Sequence, residues 1–267
     1  SDLLEAHAAE IISLCQREAG KTLTDSVLEL PEAVDFLRYY AGEGRMLFAG
    51  PQPLPGPTGE RNLLRLHGRG VFATISPWNF PLAIFIGMAS AAIAAGNTVI
   101  MKPPYQAPLS AYRFVEIVEG ILPPGVLNIV TCGKDGSQAL VTHPQVPRVS
   151  LIGSVPTGRA VAKAAADRLK HVSLELGGKN ACIIYPDADL EKAARGAVGG
   201  MNFSWCGQSC GSTSRLFIHE SVYDRVLDGV LKHVKNHKPG IPTEMETTMG
   251  AIISRQQLDK ILSYIEI

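Results

Sequence analysis

Residues 70–101 read GVFATISPWNFPLAIFIGMASAAIAAGNTVIM, and this stretch decides the fold. Val71–Ile75 is a short apolar run between Gly70 and the turn-forming Ser76-Pro77, which predicts a strand. Leu82–Ala95 carries no charge and is long for a strand, so it reads as a buried helix closed by Gly96-Asn97. Thr98–Met101 then reads as a second strand. A strand, a helix and a strand joined by short loops form a βαβ unit with parallel strands.

The same alternation continues downstream. Ser110–Glu119, Gly136–Thr142 and Thr157–Arg168 have helical patterns, and Val126–Val130, Val149–Ile152 and Val172–Leu174 read as strands. The implied class is α/β, a doubly wound parallel sheet, which binds ligands at the carboxyl ends of its strands. A second series begins after Gly177-Gly178. It comprises strand Ala181–Tyr185, helix Asp189–Asn202, strand Ser214–Ile218, helix Val222–Lys235 and a last helix around Arg255–Ile265, which stops without a cap and suggests a piece of a longer chain.

Upstream, residues 3–19 place Leu3, Leu4, Ala8, Ile11, Ile12 and Cys15 on one helical face, ended by Gly20. A further helix is predicted over roughly 31–47, with Pro31 near its start. Residues 50–59, GPQPLPGPTG, cannot be helical, and their prolines exclude a central strand. They read as an arm or hairpin leaving the main body, or as a plain surface loop. The expected division is therefore 1–49 and 69–177 as one domain, 50–68 as an arm, and 178–267 as the start of a second domain.

The 267 residues include 25 Lys+Arg and 25 Asp+Glu, with 46% hydrophobic residues. This balance excludes intrinsic disorder and argues against a nucleic-acid partner, which would call for a basic face. The longest apolar stretch is too short to span a bilayer, and no signal peptide is visible, so a soluble globular protein with no membrane partner is expected. Five cysteines, an odd number, point to reduced thiols and a cytoplasmic setting. Cys206 and Cys210 are the only close pair; with no second pair and no suitably spaced histidine, no metal site is expected.

Four residues can carry chemistry. Cys210 lies in Gly207-Gln208-Ser209-Cys210-Gly211-Ser212, where small neighbours leave the sulfur accessible and let backbone N–H groups approach an oxyanion. Glu175 ends an apolar strand beside two glycines, which suits a general base, a solvated strand-end carboxylate or a partner for Lys179. Asn79, in Ser76-Pro77-Trp78-Asn79-Phe80-Pro81, can donate to an oxyanion or serve as a helix N-cap. Lys102, at the end of a strand, can reach a ribose hydroxyl or a phosphate, or simply be solvated. No G-x-G-x-x-G and no P-loop follows the first strand, although Gly153-Ser154 sits at a strand-to-helix junction suited to an anion.

Taken together the segments SPWNFP (Ser76–Pro81), AAGNTVIMKP (Ala94–Pro103), LPPGVLNIV (Leu122–Val130), ELGGK (Glu175–Lys179) and GQSC (Gly207–Cys210) resemble the aldehyde dehydrogenase superfamily. The resemblance covers essentially the whole chain. It implies that residues 1–49 and 69–177 form a variant Rossmann dinucleotide-binding domain, 50–68 an oligomerisation arm, and 178–267 an incomplete catalytic domain. It assigns Cys210 as the nucleophile, Asn79 as oxyanion donor together with the Cys210 N–H, and Glu175 as the base that activates water. Ile75, Ser76, Pro77, Trp78, Lys102, Gly153, Ser154 and Gly177 become cofactor contacts, with Lys102 on the adenosine ribose and Ser154 on the pyrophosphate. The implied activity is NAD(P)-dependent oxidation of a small-molecule aldehyde to a carboxylic acid by a homo-oligomer, a dimer or tetramer. The alternative is a dinucleotide-binding or assembly fragment without turnover.

The chain departs from the family pattern at several places. Tyr105 stands where a Glu often follows the ribose lysine, so NAD is expected as cofactor with NADP admissible. Leu151-Ile152-Gly153-Ser154 replaces the usual Phe-Thr-Gly-Ser, and the family's first strands and later Glu-x-Phe-Gly-Pro segment are not found. Residues 17–85 look like the pyrroline-5-carboxylate dehydrogenase part of proline-utilisation proteins, whereas the nucleophile region looks like betaine- or aromatic-aldehyde enzymes, which leaves the aldehyde open.

Overall fold

The computed structural model describes residues 1–267. Helices α1 (Asp2–Ala6) and α2 (Ala8–Ala19) occupy the stretch expected as one helix. The interruption is a single residue, His7, whose N–H is shared between the Leu3 and Leu4 carbonyls at 3.2 and 3.1 Å. Helix α3 (Leu23–Leu47) starts well before the expected residue 31. Thr22 explains the early start: its Oγ1 accepts the Asp25 N–H at 3.2 Å and donates to Asp25 Oδ2 at 3.0 Å, a cap for the first turn. Pro31 lies inside this helix on an exposed face, and Val27, four residues earlier, is exposed as well.

The Pro/Gly-rich arm is a hairpin. Strands β1 (Gln52–Leu54) and β2 (Asn62–Leu64) pair antiparallel in their own two-stranded sheet, with Leu54, Leu63 and Leu64 exposed. The main alternation follows as β3 (Val71–Ile75), α4 (Ala83–Ala94), β4 (Thr98–Lys102), α5 (Leu109–Ile117), β5 (Leu127–Ile129), α6 (Lys134–Thr142), β6 (Arg148–Gly153), α7 (Val155–Ala166) and β7 (His171–Leu176). These strands form one five-stranded sheet in the order β5-β4-β3-β6-β7, and the pairings of β3 with β4 and β6 and of β4 with β5 are parallel. The doubly wound class expected from the sequence is the one observed. Ala73, Val99, Met101, Val149 and Leu151 from the strands and Phe85 and Ile86 from α4 are buried apolar residues of this core.

Helix α4 opens without a side-chain cap from its own N-cap residue, Leu82. The fully buried Glu29 of α3 supplies the acceptor instead: its Oε1 takes the N–H groups of Leu82 and Ala83 at 2.9 and 3.0 Å. Removing that carboxylate leaves two buried donors without this acceptor, at a cost of about 3 kcal/mol. Urea unfolding of Glu29→Ala is expected to show that loss. Glu29→Gln, which keeps an acceptor oxygen, is expected to lose less than half as much.

The chain forms two compact units, Ser1–Ile11 with Glu29–Glu175 and Ile12–Leu28 with Leu176–Ile267. The second unit contains β8 (Ala181–Ile184), α8 (Leu190–Gly199), β9 (Arg215–Ile218), α9 (Tyr223–Val234) and α10 (Arg255–Ile265). Strands β8 and β9 pair in parallel, and Ile184, Val222 and Val226 form a buried cluster. The division falls after Glu175. Ile12–Leu28 is a departure, because the sequence reading placed it in the first domain. Gln16 donates to the Pro242 carbonyl at 2.9 Å and the Ala251 N–H to the Gly20 carbonyl at 2.9 Å, ties to distant chain that tether it in the second unit. No helix is long and apolar enough to cross a membrane.

Candidate active site

In the first unit the parallel register brings the ends of three strands level, with Ile75 opposite both Lys102 and Leu151. The Ser76 N–H donates to the Lys102 carbonyl at 3.2 Å and extends the ladder one residue past β3. Strand order reverses between β3 and β6, and a crevice outside the carboxyl ends at such a reversal is where open α/β sheets take ligands. Ile75, Ser76, Pro77 and Trp78 leave β3 at this edge, Gly153 and Ser154 leave β6, and Lys102 ends β4. Gly177 lies just past β7, is exposed, and has open space where a Cβ would stand.

Lys102 is 8% exposed, and its ammonium makes no hydrogen bond or ion pair. Burial holds its pKa below the usual lysine value, with the charge of Cys132 pulling the other way. A lysine whose stem is largely buried at a strand end can present its ammonium to a ribose hydroxyl or phosphate. Ser154 is the N-cap of α7, where its Oγ accepts the Thr157 N–H at 3.3 Å. The N-terminus of that helix is suited to an anion. Tyr105 is 65% exposed and adds no negative charge.

Asn79 is half-buried in the segment between β3 and α4. The N-cap role that was open to it from sequence belongs to Leu82, with Glu29 as the acceptor. Glu175 is exposed, one residue from the end of β7. The largest cavity in this unit, about 790 Å³ and walled mostly by apolar residues such as Leu4, Leu37, Ile86 and Phe114, touches none of these candidates.

The second unit carries Cys210 on a tightly held loop. After α8 the chain turns through left-handed Asn202 (φ 53°), a 3-10 turn at Phe203–Trp205, left-handed Cys206 (φ 54°) and Gly207 (φ 66°). The helix expected to reach Asn202 therefore stops short of it, because left-handed backbone cannot continue a right-handed helix. Gln208 is buried, and its Oε1 accepts the Ile253 N–H at 3.1 Å while Nε2 donates to the Ala251 carbonyl at 3.3 Å. Asn180 Nδ2 donates to the carbonyls of Cys210 and Ser212 at 2.7 and 3.2 Å. The nucleophile candidate is thus pinned on both sides by amide side chains. Sequence reasoning included Gln208 only as a motif letter and passed over Asn180, which directly follows ELGGK.

Cys210 is the only exposed cysteine of the five. Cys206 behaves oppositely: its Sγ donates to the Gly250 carbonyl at 3.1 Å, and burial, aided by Asp25, pushes its thiol up to about 11. A thiol with a raised pKa stays protonated and unreactive at neutral pH. One equivalent of iodoacetamide at neutral pH is accordingly expected to label Cys210 first. Adducts on Cys206 are expected only as the pH approaches that value. Peptide mapping checks both, and preferential labelling of Cys15, Cys132, Cys182 or Cys206 contradicts the assignment.

These features define an α/β protein whose sheet reverses strand order between β3 and β6 and whose second unit carries an exposed, positioned thiol. Residues 1–267 match the Aldehyde dehydrogenase family, and the chain belongs to that family. It is 44% identical over 267 residues to the aldehyde dehydrogenase tropH of Talaromyces stipitatus, covering 98% of this chain and 52% of that protein. It is 38% identical over 272 residues to a phenylacetaldehyde dehydrogenase of Pseudomonas fluorescens, covering 99% of this chain and 54% of that one. Among solved structures, a variant of Bradyrhizobium japonicum proline utilization A superposes with a TM-score of 0.92 at 40% identity, over 99% of this chain and 28% of that one. The chain spans about half the length of the curated relatives it matches.

Proposed function

We propose that this chain is the cofactor-binding and nucleophile-bearing part of an NAD(P)-dependent aldehyde dehydrogenase acting on a small-molecule aldehyde. The observation that carries the reading is the convergence of Ile75, Ser76, Lys102, Gly153 and Ser154 on the switch-point edge, in a chain whose one exposed thiol is Cys210. In this reading Cys210 attacks the aldehyde carbon to form a thiohemiacetal, and Asn79 and the Cys210 N–H hold the resulting oxyanion. The dinucleotide, when bound, supplies a hydride acceptor, so that a thioester remains on Cys210. Glu175 takes a proton from water, and the hydroxide equivalent attacks the thioester and releases the carboxylic acid. Lys102 recognises the adenosine ribose, Ser154 and the start of α7 receive the pyrophosphate, and Ile75–Trp78 with Gly153 and Gly177 line the cleft. The hairpin at 50–68 serves as an oligomerisation arm, an assignment its exposed leucines suit. Five free thiols suit a cytoplasmic setting.

The test is the mass of the protein after mixing with NAD and a panel of aldehydes. An acyl adduct on Cys210 supports the enzyme reading. Nucleotide binding with no adduct on any aldehyde assigns this chain the alternative role, binding without turnover.

Cofactor choice gives a further prediction. With Tyr105 in place of the common acidic residue, no carboxylate on this segment repels a 2′-phosphate. Calorimetric titration is expected to show NAD binding, with NADP weaker by less than about 100-fold, or about 2.7 kcal/mol. Strong NAD binding beside undetectable NADP binding would refute this tolerance and point to an acidic residue elsewhere, with Asp135 and Asp167 the first to replace.

A further inference from the structure

We propose that Asn180 is a positioning residue for the Cys210 nucleophile: its side-chain amide fixes the Cys210–Gly211 peptide, and with it the backbone that carries the oxyanion-holding Cys210 N–H. The proposal rests on the reading of Cys210 as nucleophile and deepens it with a residue that does not itself react. Asn180 is well placed to hold something else, because it is itself held. Its carbonyl accepts the Arg215 N–H at 3.1 Å, and Arg215 Nε donates to the Lys179 carbonyl at 3.0 Å. The β8–β9 ladder begins one residue later, with Ala181 opposite Arg215. The amide therefore projects from the fixed start of a sheet.

The segment it holds has little order of its own. Residues 206–214 run between the 3-10 turn and β9 without helix or strand. The Cys210 carbonyl takes one donor, Asn180 Nδ2 at 2.7 Å, and the same group reaches the Ser212 carbonyl at 3.2 Å. The next residue is Gly211, where a Cβ would meet only Ser209 Oγ, at 3.7 Å, so packing does not hold this peptide. A peptide followed by glycine turns over easily, since glycine accepts backbone angles that other residues avoid. With the Asn180 amide removed, the bond from the Gly211 N–H to Ser209 Oγ at 3.2 Å is what remains on that peptide. Gln208 fixes the chain ahead of Cys210, and Asn180 fixes it behind. An oxyanion donor acts through preorganisation, so freedom on either side of Cys210 weakens it.

Two reactions of the same thiol separate positioning from mere access. In acylation by p-nitrophenyl acetate the sulfur bonds to the acyl carbon and the carbonyl π pair moves onto oxygen. That oxyanion then collapses and expels p-nitrophenolate, while the thiol proton passes to solvent. In alkylation by iodoacetamide the sulfur displaces iodide from carbon and no oxyanion forms. Neither reaction consumes an oxidant or reductant. A residue that sets the geometry of the Cys210 N–H matters to the first and hardly to the second, whereas one that only keeps the loop folded matters to both.

The experiment treats the 267-residue chain with each reagent in turn and times adduct formation at Cys210 by peptide mapping. Asn180→Ala is expected to slow acylation by about tenfold or more, while alkylation stays within about threefold of the parent. Asn180 is exposed, and water can replace its hydrogen bonds, so thermal unfolding should stay within about 4 °C of the parent. Asn180→Asp keeps the shape of the side chain and removes only the donor. It is expected to match the alanine variant, and it decides the matter if that variant unfolds. Acylation at the parent rate in both variants overturns the proposal and leaves the nucleophile reading intact. Equal loss of acylation and alkylation also overturns it, because Asn180 is then a structural tie. A parent chain that is alkylated at Cys210 but not acylated there overturns the nucleophile reading itself, and the proposal with it.

Discussion

Replacing Cys210 by alanine is expected to abolish turnover in the proposed reaction, lowering kcat by about 10⁴-fold or more, about 5.5 kcal/mol of lost transition-state stabilisation. The size of the effect follows from the route. Without a sulfur no thiohemiacetal forms, and an unactivated aldehyde hydrate is a much poorer hydride donor. The loop is expected to survive the change, because what holds it is not the thiol. Gln208 anchors it to Ala251 and Ile253, Asn180 holds the Cys210 and Ser212 carbonyls, and the Cys210 residue itself is exposed. Thermal unfolding of Cys210→Ala should therefore stay within about 1 kcal/mol of the parent, and NAD affinity should not change. Loss of activity together with loss of fold would assign Cys210 a structural role instead. Retained activity would transfer the nucleophile to another thiol, and acyl-adduct mapping would find it.

The elements legible in the sequence were those whose signal is local. The βαβ unit of residues 70–101 declared itself because a charge-free helix between two short apolar strands has few other foldings. The strand-edge positions of Lys102, Ser76 and Ser154 followed from the same reading. Two misreadings were also local, and their signals were present. Thr22-x-x-Asp25 is a capping pattern that starts α3 earlier than Pro31 suggested, and Ser154 caps α7 ahead of the Thr157 start expected for it. Other features had no local signal. Glu29 caps a helix that begins at Ala83, Asn180 holds a carbonyl at Cys210, and Gln16 reaches Pro242. Each joins residues far apart in the chain, and only the folded topology brings them together. The grouping of Ile12–Leu28 with the second unit is of the same kind. The candidate residues could thus be put on a strand edge and a loop from sequence, while the side chains that hold those places emerged from the fold.

Glu175→Gln is expected to separate the two halves of the reaction that Cys210→Ala removes together. A positioned general base contributes about 10²- to 10⁴-fold, so steady-state turnover should fall by that range. In the proposed reaction hydride transfer precedes the step that requires the base, and its rate should stay within about tenfold of the parent. Rapid mixing would then show a burst of reduced cofactor, close to one equivalent per Cys210, followed by near-stasis, with the acyl thioester accumulating on the cysteine. The substitution suits the test structurally. Glu175 is exposed near the end of β7, and glutamine keeps the length and polarity of the side chain, so the strand has no reason to move. Hydroxylamine, a nucleophile that needs no deprotonation at neutral pH, should restore turnover to the variant by cleaving the thioester without the base. Rescue by hydroxylamine together with the burst ties Glu175 to water activation. Normal steady-state turnover in the variant would show that another group activates water. A variant with no burst would place Glu175 at or before hydride transfer, a role that a base acting only on the thioester does not have.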